Sequence, residues 1–172
     1  MTKRITIMAL AALLSSPLAL TAQNPVVQSM KGLYDTTKQF ITATAEMLDD
    51  ETYAFRPTAE VRSTGEILAH IANAQFLFCS SAAGESSPSS ENFEETRTTK
   101  ARILAALEEG FAYCERVYAN TTDADGSNTV TFFGGPNTTL GVLAFNSAHN
   151  YEHYGNLVTY MRLNGITPPS SM

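Results

Sequence analysis

Lysine and arginine are scarce in this chain, 11 against 17 aspartates and glutamates, and nowhere do they cluster. Binding to nucleic acid by counterion release needs a basic patch or stripe, so that partner class is excluded. Long apolar runs are equally few. One, Ile5 to Leu14, follows Lys3 and Arg4 and precedes small residues up to Thr21-Ala22. That is the pattern of a secretory signal peptide, too short and wrongly flanked for a stable anchor. Cleavage after Ala22 is expected, giving a leader over 1–22, a mature domain over 23–172 and a periplasmic or secreted product. No cysteine lies near the cut, which argues against a lipid-anchored form, and no later segment has the length and apolarity to enter a membrane. Loss of Lys3 and Arg4 leaves nine basic residues and a net charge of −8, which favours solubility. The 150 mature residues suit one domain with its own core.

Histidine is rarer still, with three in all, and cysteine occurs twice, at Cys79 and Cys114. The helical period appears four times. Val27, Met30, Tyr34, Ile41, Ala45 and Leu48 form one stripe over Val26 to Leu48. A second helix opens at Ser63-Thr64-Gly65-Glu66, a capping box, and runs to Gly84. The stretch "ESSPSSENFE" is polar and aperiodic. A third helix is expected from about Glu95 to Asn120, with Ile103, Leu104, Leu107, Phe111, Cys114 and Tyr118 as its stripe. A Gly, Asn and Asp-rich connection follows, with a short extended piece at Val130 to Phe133. The fourth helix begins at Thr138 or Thr139 and stops at Asn164-Gly165. Four such helices in one domain imply an all-α four-helix bundle.

The fourth helix carries "AHNYEHYGN". His149 and His153, four residues apart, differ by ~40° around the axis and can hold one ion from one face. Steps of four and three residues give Val142, Asn146, His149, His153, Asn156, Tyr160 and Leu163 as the core seam, polar only in its middle. Buried polar groups need partners, and a bound ion in a hydrated cavity supplies one for all four. His70 shares a face of the second helix with Ile67, Ala74 and Leu77, so all three histidines are expected to point inward. Three imidazoles with open coordination positions are the pattern of a reactive metal site. Asn146, Asn150 and Asn156 are candidates to orient those ligands or bound water. Glu152 and Tyr160 are the candidate proton carriers.

Competing readings fare worse. The H-x-x-E-H peptidase motif takes its third ligand from a downstream acid, and no Asp or Glu follows Glu152. Asp123-Ala124-Asp125-Gly126-Ser127 resembles a calcium loop, but Gly134 stands where the bidentate acid belongs. No nucleophile elbow is present for Ser-His-Asp catalysis.

Taken as a set, "YAFRPTAEVRSTGEILAH", "HNYEHYGN" and the tail "YMRLNGITPP" resemble the DinB/YfiT-like family of metalloenzymes over essentially the whole mature chain. The resemblance implies a four-helix bundle, a divalent metal on His70, His149 and His153, and often a homodimer. Some relatives use low-molecular-weight thiols in transfer or isomerisation. Those thiols are cytosolic, which fits poorly with an exported chain. The expected function is thus a metal-dependent transferase or hydrolase acting on a small molecule, the alternative being a non-catalytic metal or ligand binder. Nitrogen donors suit zinc or nickel first, with iron and copper as further options.

Two cysteines in an exported protein favour a disulfide over two buried free thiols. Bridging needs Cα atoms within ~7 Å. In a tight antiparallel hairpin of the second and third helices, Cys114 would lie ~25 Å from the turn. Parallel helices bring both cysteines to one end. The loop from Gly84 to Glu94, extending to ~36 Å, then spans the ~35 Å return. A Cys79–Cys114 bridge and an up-down-down-up order are expected together.

Overall fold

A computed structural model describes residues 24–172, so the expected leader lies outside the described residues. Four long helices carry the fold: α1 (Pro25–Met47), α3 (Thr64–Ala83), α5 (Lys100–Asn120) and α6 (Thr139–Leu163). Two short ones, α2 (Asp50–Ala54) and α4 (Phe93–Thr96), sit in the connections. A two-stranded antiparallel hairpin, β1 (Thr129–Phe132) and β2 (Gly135–Thr138), leads into α6. None of the described helices is long and apolar enough to cross a membrane.

Side chains set the helix ends. The capping box at α3 forms as expected: Ser63 Oγ accepts from the Glu66 amide, and Glu66 accepts from the Ser63 amide. Gly84 ends the helix with φ +69, a left-handed value that glycine adopts without a Cβ clash. Thr99 and Thr138 cap α5 and α6. Asp123, from the calcium-like loop, accepts the amide N–H groups of Val26 and Val27 at 3.1 and 2.9 Å. Its carboxylate therefore sits at the positive end of α1, the favourable place for an anion.

Two boundaries differ from expectation. The third long helix begins at Lys100 rather than near Glu95, because the backbone leaves the helical region at Arg97 and restarts at the Thr99 cap. That break lets the separate turn α4 rotate Phe93 into the core, where it is 1 % exposed and meets the Phe76 ring edge-on. The extended piece near Val130 is one arm of the hairpin, whose second arm was not expected. In α6 the buried face is broad: Val142, Asn146, His153 and Tyr160 of the traced seam are buried, and so are Leu143, Ser147, Asn150, Tyr154, Leu157 and Met161 beside it. The seam is correct except at Asn156 and Leu163, which are exposed, and at His149, which is half-buried at the margin of the core.

Helices α3 and α5 are pressed together. A Cβ on Gly110 would lie 3.0 Å from the Ala72 carbonyl oxygen and 3.1 Å from Gln75 Cβ, so any larger residue would have to push the two helices slightly apart. Nearby, Cys79 and Cys114 lie at bonding distance with Cα atoms 5.3 Å apart, and no described cysteine is free. Contacts advance in step along the two helices, from Gly65 against Ile103 through Ala72 against Gly110 to Cys79 against Cys114. Against α1 the order is reversed, with Lys100 bonded to the Glu46 and Leu48 carbonyls and the Tyr34 ring 4.8 Å from that of Tyr118.

The bridge joins residues 35 apart. On chain-entropy grounds its reduction should cost about 4 kcal/mol of stability. Denaturant midpoints of the oxidised and reduced mature protein measure this. The oxidised form should show no thiol reactive in denaturant, and equal midpoints would contradict the assignment.

Candidate metal centre

The centre forms where α3 faces α6. Contacts between them run in opposite senses: Thr139 bonds to the Ala82 carbonyl, Asn146 and Asn150 meet Gln75, and Tyr160 reaches the Arg62 carbonyl. His70 thereby comes opposite His149 and His153. His70 Nε2 lies 3.1 Å from His149 Nε2, and His153 Nε2 lies 3.0 Å from the same atom. One nitrogen of each of the three rings falls within 4.8 Å of the others. Ligand atoms at ~2.0–2.1 Å from a common zinc ion are ~2.9–3.4 Å apart in octahedral or tetrahedral geometry, so the separations of 3.1 and 3.0 Å about His149 fit one ion.

The electrostatics fit too. Burial first, then charge on the neighbouring imidazoles, pushes His149 down to about 3 and His153 to about 4. Both rings are neutral at physiological pH and offer lone pairs. The buried Nδ1 of His149 has no partner among the described residues, and its single Nε2 cannot both donate to one facing nitrogen and accept from the other. A cation among the three nitrogens removes that conflict.

A residue that the sequence reading missed completes the arrangement. Glu94 Oε1 lies 2.7 Å from His70 Nδ1, and Arg62 Nε donates to Glu94 Oε2 at 2.7 Å. Burial raises the Glu94 carboxyl, but the bonds from Arg62 and His70 outweigh it and hold it below its ordinary value. The carboxylate thus accepts Nδ1–H and fixes the tautomer that turns Nε2 toward the other histidines. Phe93 anchors this glutamate from the core side, with its amide bonded to Asn73 Oδ1. The available signal was the phenylalanine beside acids in an otherwise polar loop.

The three asparagines fall in different places. Asn156 Nδ2 is 3.5 Å from His153 Nδ1. Asn146 and Asn150 lie deeper, bonded to Gln75 at 3.1 and 2.8 Å rather than to an imidazole, and Asn146 also faces both sulfurs of the cysteine pair. Glu152 is exposed and lines a cavity with His153. Tyr160 donates its hydroxyl to the Arg62 carbonyl, so its proton is already committed.

Two measurements check this centre. Glu94→Ala should weaken zinc affinity roughly 10- to 100-fold, the usual effect of losing a partner to a ligand histidine; unchanged affinity in a competition titration would show that the carboxylate does not tune it. The second concerns pH. His149 and His153 stay neutral in the fold but protonate in the unfolded chain below their ordinary value of 6.5. The unfolded state then holds more protons, so the stability of metal-free protein is full above that value and is lost as pH falls toward 4. Urea midpoints should drop between pH 7.5 and pH 5, and less so in a His149→Gln, His153→Gln double variant. An equal drop in both proteins would contradict the burial account.

Similar folds have been solved. A DinB-like protein from Bacillus cereus ATCC 10987 superposes with a TM-score of 0.71 at 20% identity, covering 83% of this chain and 95% of that one. A DinB-like protein from Bacillus subtilis gives 0.65 at 21% identity, over 84% and 94%. A mycothiol-dependent maleylpyruvate isomerase gives 0.63 at 16% identity, over 76% of this chain and 60% of its own. No curated protein matches the sequence. The sequence profile of the DinB superfamily matches residues 33–157, a span that contains all three histidines and Glu94. This chain belongs to the DinB superfamily.

Proposed function

We propose that the protein is an exported metal-dependent enzyme that transfers or hydrolyses a group on a small molecule at His70, His149 and His153. The observation that carries this reading is the convergence of three imidazole nitrogens, two of the rings held neutral by burial. His70 and His149 are only half-buried, and one cavity reaches the cluster beside them while another reaches His153. Open access of this kind favours an enzyme over a closed binding site.

A divalent ion held there would polarise a substrate oxygen and lower the pKa of bound water toward ~7. His70, oriented by Glu94, and the two α6 histidines would bind it, with zinc or nickel the metals best suited. Glu152, exposed in the cavity beside His153, is the better-placed proton carrier, because the Tyr160 hydroxyl is engaged. Substrate is expected to be small, since the two cavities measure about 560 and 590 Å³. The isomerase with the similar fold depends on mycothiol; export would separate this protein from a cytosolic thiol, so a thiol-independent reaction is proposed here. The expected leader and the paired cysteines support export. The order of contacts along α1, α3, α5 and α6 supports an up-down-down-up bundle, and a homodimer is the proposed assembly. The net charge of −6, or −8 without Lys3 and Arg4, argues against nucleic acid as a partner.

Metal analysis and calorimetry on the mature protein test the reading. About one divalent ion per chain should bind, and His70→Ala, His149→Ala and His153→Ala should each weaken binding at least about tenfold, as loss of one of three ligands implies. Full affinity in any one variant removes that residue from the site.

A further inference from the structure

The cavity beside His70 and His149 has an aromatic wall. Phe78 stands at its centre, with the His149 ring edge-on at 5.0 Å and the rings of Phe145 and Phe133 at 5.2 and 6.1 Å. Leu77, Phe145 and Phe133 nevertheless remain 47 %, 43 % and 69 % exposed. Large apolar side chains gathered in water beside a reactive cluster call for an occupant.

The hairpin strengthens the case. Its two turn residues, Phe133 and Gly134, have φ of +49 and +77. A turn of this kind is built most easily from Asn-Gly, and a bulky side chain at positive φ is strained. Here the strained position is given to a phenylalanine whose ring meets Phe132, Phe78 and Phe145. Among the described residues lining the cavity none is lysine or arginine, and Glu91 is held by two bonds to Arg97. An anionic tail would find no countercharge. The cavity beside His153 differs, being lined by Arg56, Arg62, Glu60 and Glu152.

We propose that the aromatic cavity is the specificity pocket of the site: it takes an uncharged aromatic or bulky apolar group of a small molecule whose polar head reaches the three histidines. Its volume, about 560 Å³, falls in the ordinary range for small-molecule sites. Its concave form with histidines at one side distinguishes it from a flat surface for a second protein. This inference rests on the metal reading above.

Calorimetry on the zinc-loaded mature protein with benzohydroxamate and acetohydroxamate tests it, since the two share a chelating head and differ only in phenyl against methyl. Benzohydroxamate should bind more tightly by about tenfold, the value of burying one ring. Phe145→Ala and Phe133→Asn should each shrink that ratio, while acetohydroxamate continues to report the metal head-group site. Phe133→Asn suits the positive φ, so it keeps the test open should Phe145→Ala fail to fold. Equal binding of the two probes by wild type, or a ratio preserved in both variants, would overturn the pocket alone. Failure of zinc itself to bind would remove the metal reading and the pocket with it. Sedimentation of the same variants adds a separate arm: a wild-type dimer that Phe133→Asn dissociates would show the patch to be an interface between copies, which also overturns the proposal.

Discussion

One buried carboxamide sets the register on which the site depends. Gln75, fully inside on α3, accepts from Asn146 and donates to Asn150, one turn apart on α6. A slide of one residue moves a helix by ~1.5 Å, enough to break both bonds and leave polar groups buried without partners. With that register held, His70 faces the gap between His149 and His153. Gly110 and the cysteine pair press α5 against the same stretch of α3, so Gln75 is fixed from both sides.

The histidines benefit from sitting at the edge of this packed layer rather than in its centre. Burial there is deep enough to keep His149 and His153 neutral, and shallow enough for cavities to reach them from two sides. The Glu94 and Arg62 pair places charge on the far ring nitrogen of His70, and Glu152 stands in the cavity beside His153. Neutral nitrogens facing inward and a carboxylate behind them suit a cation that must remain accessible to another ligand.

Much of this was legible in the sequence because it is local. Ser63 and Glu66 specify a helix start within four residues, and His149 and His153 share a face by helical spacing alone. The cysteine pair was reached by combining export with the length of the loop after Gly84. What escaped is non-local. Glu94 matters only because Phe93 docks on Phe76, and no periodicity marks an isolated aromatic anchor in a polar loop. Gln75 reads as one polar residue in an apolar helix until α6 is placed against it. The seam of α6 was traced too far toward Asn156, which is exposed, because His149 lies at the edge of the buried face and the steps to Asn156 and Leu163 turn toward solvent.

X-ray absorption spectroscopy of the zinc-loaded mature protein tests the central claim most directly. The account predicts three imidazole nitrogens at ~2.0–2.1 Å with the remaining coordination supplied by light atoms. A spectrum with fewer than three imidazoles, or with sulfur bound to the metal, would contradict it.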